Sequence, residues 1–481
     1  MSQTVFVSTA IPYVNAKPHV GFALEIVQAD AISRYFRLVG FDTFLLTGTD
    51  ENSLKNVRAA ASLGITTREL CDQNSAAFQA LIPGLNIANS DFIRTSHDPR
   101  HARGAQRLWT QTRPGDIYRK HYTGRYCVGC EDFYTEKDAP DGVCPEHGTP
   151  LEAVEEENHF FRLSAYQAQL LALIETGKLQ IVPATRRNEM LAFAEAGLHD
   201  FSISRSRERA GNWGIAVPGD PSQVMYVWYD ALANYITALD YADEGERLQE
   251  YWSGCSKRIH VIGKGINRFH TLYWPAMLLS AGLPTPDVVF VHGYLTVNGQ
   301  KISKSLGNVV DPLAQAQTYG VDPFRYYLLR ALSPYEDGDY SEKRLRDTYN
   351  TDLANNLGNL VRRVETIGER AGYVLQAQQV PDAPSGFHEA MNQFRFHEAL
   401  SALWAIATSL NQHIDRAKPW EMLKQNRDHE VRAFLDEVVS GLRCIAYWLE
   451  PFMPDTARGL GETFAAGRLL KRGAPLFPRL M

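Results

Sequence analysis

No run of apolar residues in this 481-residue chain reaches the ~18 that a membrane-spanning helix needs. A helical anchor is excluded, and no membrane partner is expected. Cysteine is scarce, with six residues at positions 71, 127, 130, 144, 255 and 444. So few thiols in so long a chain do not make a disulfide framework; three of them cluster, which points to a metal site in a reducing compartment. A strong excess of one charge is missing as well: Lys and Arg number 49 against 55 Asp and Glu, a formal net charge of −6. No global basic field advertises a nucleic-acid partner, although local basic stripes remain compatible with an acidic protein. Low-complexity tracts and internal repeats are absent, which excludes fibrous and solenoid architectures. No signal or transit peptide is visible ahead of the strand-like Thr4-Val5-Phe6-Val7-Ser8-Thr9, so a cytoplasmic protein is expected.

What remains is an ordinary globular composition, 44% hydrophobic and 22% charged. The length calls for two to four domains. Residues 1–115 read as α/β: a strand over 5–9, a turn rich in Pro, Asn and Gly, and a helix from about His19 to Leu38. A strand over 43–46 then ends at Gly48-Thr49-Asp50-Glu51. This strand–helix–strand pattern is the doubly wound unit, whose ligands sit beyond the carboxyl ends of its strands. His19 and Asp50 both fall at such ends. Residues 116–200 hold the clustered cysteines, many turn residues and the acidic run Glu155-Glu156-Glu157, and read as an insertion between two halves of a nucleotide fold. Strand-like runs return at 223–228, 258–262 and 288–291, within a second half spanning 201–293. Residues 294–346 carry a Lys-Ser loop. From 347 to 481 apolar residues such as Leu353, Leu357, Leu360 and Val361 recur at helical spacing, predicting an all-α bundle. The bundle runs to Met481 with no domain after it, so a monomer is expected.

Two segments far apart carry phosphate chemistry. Pro18-His19-Val20-Gly21-Phe22 sets a histidine and a glycine at a helix start, where backbone N–H groups attract phosphate and Gly21 admits a close approach. Lys301-Ile302-Ser303-Lys304-Ser305 follows the turn dipeptide Asn298-Gly299 and places two ammonium groups on a flexible loop. Such groups stabilise charge developing on the α-phosphate and pyrophosphate during adenylyl transfer. Cys127-x₂-Cys130 and Cys144-x₂-His147 form two knuckle-like pairs. Three thiolates and one imidazole complete a tetrahedral zinc shell with no position left for water, so the site reads as structural. Asp50 and Arg205 are a candidate pair: a substrate ammonium calls for a carboxylate, and that carboxylate for a positioning partner. Tyr13, Trp228, Tyr235, Phe269 and His270 could line an apolar, polarizable pocket, although aromatics at helical spacing also serve plain core packing.

Together with Ala10-Ile11-Pro12-Tyr13-Val14-Asn15, Thr47-Gly48-Thr49-Asp50-Glu51, Ser202-Ile203-Ser204-Arg205, Val227-Trp228-Tyr229-Asp230-Ala231, Ile262-Gly263-Lys264 and Leu306-Gly307-Asn308, these segments resemble the methionyl-tRNA synthetases. Those are class I aminoacyl-tRNA synthetases, and the resemblance covers nearly the whole chain. It implies a split Rossmann domain (1–115 and 201–293) with a zinc-bearing insertion (116–200), a Lys-Ser loop and stem-contact region (294–346), and an α-helical anticodon-binding domain (347–481). It implies a ligase that joins methionine to ATP as methionyl-adenylate, with Mg²⁺, and passes the aminoacyl group to tRNA(Met). By position, Ile11, Tyr13, Trp228, Ala231, Leu232, Tyr235, Ile266, Phe269 and His270 would form the methionine pocket. Asp50 would hold the substrate ammonium, oriented by Arg205. His19, Gly21, Gly263, Lys301, Ser303 and Lys304 would bind ATP, with His19, Lys301 and Lys304 catalytic. Cys127, Cys130, Cys144 and His147 would hold the structural Zn²⁺. Asn359, Arg363 and Trp420 match positions that read the CAU anticodon, where stacking and guanidinium hydrogen bonds suit single-stranded RNA.

Several positions depart from the family pattern. Phe22 stands where a second histidine is usual, Asn52-Ser53 where His-Gly usually follows Asp-Glu, and Gly265 where an aspartate is expected to meet the ribose. Leu232 replaces a proline seen in some members, and Ile302 a methionine. Losing one transition-state donor typically costs ~10²–10³ in rate. The polar departures cluster on the ATP side, which leaves an alternative open: a paralogue with retained tRNA binding but lost or redirected amino-acid activation, as a binding module or biosynthetic ligase. A nucleotidyltransferase acting without RNA is a third reading, against which the bundle residues argue.

Overall fold

The structure, a computed structural model, describes residues 3–129, 132–134, 139–145, 148–302, 307–377, 379–469 and 473–480. The chain divides into two compact units. The first comprises Met1–Pro18, Gly40–Pro83 and Ala88–His292, the second His19–Val39, Gly84–Ile87 and Gly293–Met481.

The first unit is built on a six-stranded parallel sheet in the order Asp91–Arg94, Asp42–Thr49, Thr4–Thr9, Lys257–Gly263, Val288–His292, Gln180–Val182. Thr4–Thr9 and Val288–His292 are buried at every residue, which explains their β-branched and aromatic runs without polar alternation. Thr4–Thr9 lies between two neighbours reached in opposite directions, so the crevice beyond its carboxyl end is the switch point where such sheets bind ligands. Tyr13 and Asp50 meet there in a parallel bridge, and the Asp50 N–H donates to the Pro12 carbonyl at 2.9 Å. Gly48, just upstream, admits the neighbouring strand: a Cβ would stand 2.2 Å from the Ile93 carbonyl oxygen.

Within 116–200, Ile117–Cys127 and Glu152–Phe161 form a long antiparallel ladder in register from Ile117↔Phe161 to Tyr126↔Glu152. The acidic run Glu155-Glu156-Glu157 lies on the second of these strands. Gln180–Val182, from the same stretch, is the edge strand of the parallel sheet. One sequence expectation needs correction. The strand expected over 223–228 stops at Met225, and Val227 opens a helix that runs to Thr237. Val227, Trp228 and Tyr229 favour strand locally, but the extended Tyr226 ends the strand and Ala231, Leu232 and Ala233 carry a fully buried helix.

The second unit contains the helix Val20–Leu38, with His19 as its N-cap. Leu295–Val297 is flanked by Gln300–Lys301 and Gly338–Tyr340, and Asn298 and Gly299 turn the chain with φ of 52° and 77°. The C-terminal region is helical, with Asn359–Arg370, Phe396–Ala417 and Asp428–Trp448 as its long members. One polar knot ties these segments together. The fully buried Arg325 donates to Asp30 at 2.7 Å and to the carbonyls of Leu85, Asn86, Pro451 and Phe452. Asp30 also accepts from Arg34, whose other nitrogens reach Glu450 and Asn86. Among the described residues, no helix is long and apolar enough to cross a membrane.

Candidate active site

The aromatic cluster belongs to the first unit. Trp228 and Tyr235, two turns apart on the Val227–Thr237 helix, both face inward. The Trp228 indole lies flat against Phe269, with centroids 3.7 Å apart and planes 6° from parallel, and Tyr13 meets its edge at 6.5 Å. The indole N–H is buried with no acceptor among the described residues. Ala231 and Leu232 are buried, while Ile11 and Ile266 are partly exposed and pack on the same core. Tyr235 Oη stands 2.6 Å from His270 Nε2, and His270 Nδ1 stands 3.0 Å from the Ile266 carbonyl. A carbonyl only accepts, so Nδ1 carries the proton and Nε2 accepts from the phenol. Burial lowers the His270 pKa to about 4, keeping the ring neutral.

Asp50 is buried at the head of this pocket, and its Oδ1 accepts from the Asn52 N–H at 3.3 Å. Arg205 is buried between the Tyr126 and Tyr226 rings, 4.8 Å from each, and donates to Tyr126 Oη at 2.8 Å. The turn that carries Asp50 is fixed by its neighbour. Glu51 is fully buried and accepts from Arg94 at 2.6 Å, Ser75 at 2.5 Å, Thr49 at 3.1 Å, and Ser96. Its backbone carbonyl accepts from the Trp213 indole at 2.7 Å and its N–H donates to Thr95. Sequence reasoning missed this anchor and also Tyr126. An acidic residue beside the candidate Asp50, inside an apolar strand end, was the available signal for Glu51. Gly263 ends the Lys257–Gly263 strand, and Gly265 lies exposed in the short turn after it.

The second unit holds the residues singled out for the anticodon and, apart from Gly263, those singled out for ATP. His19 caps its helix by accepting the Gly21 N–H at Nδ1, 3.1 Å away. Lys301 is exposed at the end of its short strand, and its carbonyl accepts from Asn308 at 3.0 Å. Ser303 and Lys304 lie outside the described residues, as do Cys130 and His147. Cys127 and Cys144, the other two expected zinc ligands, are buried. The Gly148 N–H donates to the Cys144 carbonyl and the Cys144 N–H to the Thr149 carbonyl, each at 2.8 Å, closing a tight turn. Arg363, one helical turn beyond the exposed Asn359, donates to Asp415 at 2.5 Å and to Asn411 at 3.4 Å. Its guanidinium lies 5.8 Å from the Trp420 ring, which is partly exposed.

Comparison with known proteins accords with this geometry. The family model described as tRNA synthetases class I (M) matches residues 5–153 and 146–365. A methionine–tRNA ligase of Brucella melitensis is 42% identical over 96% of this chain and 92% of its own length. One from Thermotoga maritima is 41% identical over 94% of this chain and 74% of its own length. The structure of Mycobacterium tuberculosis methionyl-tRNA synthetase in complex with methionyl-adenylate superposes with a TM-score of 0.91, at 38% identity over 99% of this chain and all of that one. The chain has the Rossmann-like α/β fold of the class I synthetases with a helical C-terminal region, and it belongs to the methionyl-tRNA synthetase family.

Proposed function

We infer that this protein is a methionine–tRNA ligase, activating methionine with ATP to methionyl-adenylate and transferring it to tRNA(Met). The observation that carries the reading is the aromatic pocket of Trp228, Phe269, Tyr13 and the Tyr235–His270 pair beside the buried Asp50. A thioether is soft and polarizable, and aromatic faces and edges attract it. An unbranched apolar chain packs against such aromatic faces and edges, while the Asp50 carboxylate provides the counter-charge for the substrate ammonium. His270, neutral and fixed in one tautomer, adds polarity without charge. Arg205 orients the acidic end of the site, and Glu51 holds the turn on which Asp50 sits.

ATP, with Mg²⁺, is the co-substrate. His19, Gly21, Gly263, Lys301, Ser303 and Lys304 are the residues assigned to it, with the lysines neutralising charge on the departing pyrophosphate. Asn359, Arg363 and Trp420 are assigned to the anticodon: an unpaired base stacks on Trp420 while Arg363 and Asn359 donate to base edges. The four-residue set Cys127, Cys130, Cys144 and His147 is assigned to a structural Zn²⁺, which the burial of the two described thiols favours. A cytoplasmic monomer is the state in which these assignments apply. The alternative, a paralogue with retained tRNA binding but lost or redirected amino-acid activation, is disfavoured by the likeness to methionine–tRNA ligases over nearly the whole chain. The test is methionylation of purified tRNA(Met): charging with methionine and ATP is expected, and its absence with intact protein would overturn the reading.

A further inference from the structure

The helix Val20–Leu38 begins with its first amides already engaged. Val20 N–H donates to the Val310 carbonyl at 3.0 Å, Gly21 N–H to His19 Nδ1 at 3.1 Å, and Phe22 and Ala23 N–H to the His19 carbonyl at 3.0 and 3.3 Å. The helix start therefore presents an imidazole in place of a row of open amides. A backbone N–H can only donate, so Nδ1 is the unprotonated nitrogen and the ring proton of a neutral His19 sits on Nε2. Gly21 makes this cap possible, because a Cβ there would come within 2.9 Å of His19 Cε1. The Phe22 ring lies against the imidazole with centroids 4.5 Å apart and planes inclined by 34°.

We propose that Phe22 is a positioning residue for ATP: its ring covers the His19 imidazole and excludes water, so that the Gly21 amide keeps a neutral ring with its Nε2–H available to a phosphate oxygen. This rests on the assignment of His19 to ATP made above. The residue that departs from the family pattern thus takes a part in the site, exchanging a second donor for control of the first. Burial lowers the His19 pKa to about 4, and no charged side chain contributes to that shift. Among the charged residues of the adjoining segments, Lys17 lies two positions upstream and Glu25 on the second helical turn. Asp311, beside the Val310 carbonyl that caps Val20, accepts from the Leu313 and Ala314 amides at 2.9 and 3.4 Å. A neutral donor works unchanged across the physiological pH range, whereas a solvated imidazole near its ordinary pKa of ~6.5 would change charge within it.

Histidine-labelled full-length protein tests this by long-range proton–nitrogen spectra between pH 4.5 and 8, with His19 assigned by the peaks lost in His19→Ala. The wild-type ring is expected to hold the Nε2–H tautomer with no titration above about pH 5. Phe22→Ala is expected to raise the His19 midpoint by at least tenfold in proton affinity, with Phe22→Leu, which keeps apolar bulk, moving it less. The other histidines report whether each variant is folded. A Phe22→Ala midpoint equal to the wild type overturns the proposal, and the Phe22→Leu spectrum decides it should the alanine variant not fold. A second readout is the pH profile of kcat/KM for ATP in methionine-dependent pyrophosphate exchange, expected flat from pH 5.5 to 8 in the wild type and with an acidic limb in Phe22→Ala. Flat profiles in both would remove the link to ATP even if the ring titrates differently. Absence of exchange in the wild type counts against the ligase reading instead, while the spectra still decide what Phe22 does to His19.

Discussion

Asn52 donates its side-chain amide to Asp230 at 2.7 Å, and the second oxygen of Asp230 lies 2.5 Å from His101 Nε2. Asp230 and His101 are fully buried, and His101 Nδ1 continues to Thr237 Oγ1 at 2.8 Å. The contact joins the turn after Asp50 to the helix that carries Trp228. Asn52, one of the positions read as departing from the family pattern, therefore keeps a buried carboxylate partnered beside the aromatic cluster of Trp228.

Replacing Asn52 with alanine would leave one Asp230 oxygen with no donor from that side. A hydrogen bond to a charged group is worth about 1.5–3 kcal/mol, more when its loss strands a buried acceptor. The expected outcome is a loss of stability of this order in urea unfolding, with a rise in KM for methionine larger than any change in KM for ATP. Equal stability of Asn52→Ala and wild type would show that Asp230 is satisfied without it.

The Asp30–Arg325 pair offers a sharper test of buried charge. Arg325 is fully buried and spends its donors on Asp30 and four backbone carbonyls. Removing only Asp30, as in Asp30→Ala, strands the guanidinium and should cost about 3–5 kcal/mol. Replacing both partners, Asp30→Leu with Arg325→Met, should cost less than the sum of the single changes. A double-mutant cycle by denaturant unfolding measures the difference.

Three histidines should contribute to a loss of stability in acid. Burial lowers the pKa of His19 and of His270 to about 4, and that of His260 well below its ordinary value. Each then binds a proton more readily in the unfolded chain, whose histidines titrate near ~6.5. Their contribution is fully present above that value and is lost as pH falls from about 6.5 toward 4. For the fully buried His270 alone this amounts to about 3 kcal/mol. Tm measured from pH 7.5 to 4.5 should fall with a slope that His270→Gln reduces; a parallel curve in that variant would contradict this assignment.

The proposed anticodon contacts rest on Trp420 and on Arg363, which lies 5.8 Å from its ring. Base stacking on an aromatic side chain is worth about 1–3 kcal/mol. Trp420→Ala should therefore weaken binding of tRNA with a CAU anticodon by about 5- to 150-fold in a gel-shift titration. A tRNA with another anticodon should lose little, because its bases already miss the site.

Much of the site could be read from the chain because short segments carry it. His19, Asp50, Trp228 and Tyr235 sit beside the turns and periodic runs that give them away. Other parts could not be read because their partners are remote. Glu51 depends on Ser75, Arg94 and Ser96, and Arg325 on carbonyls from residues 85–86 and 451–452, pairings set by tertiary packing alone. The 223–228 stretch misled because Val227, Trp228 and Tyr229 have strand propensity while the buried helix that they open is decided by its later residues. The polar start of the Val20–Leu38 helix was legible in kind but not in detail, since the sequence does not tell that His19 itself occupies the Gly21 amide.

The most direct measurement is ATP–pyrophosphate exchange by the purified protein across a panel of amino acids. The aromatic pocket with its buried Asp50 and neutral His270 predicts exchange with methionine far above that with leucine, isoleucine or norvaline, and loss of most of it in Asp50→Asn. No exchange with methionine, or equal exchange with another amino acid of the panel, would contradict the assignment of this chain as a methionine–tRNA ligase.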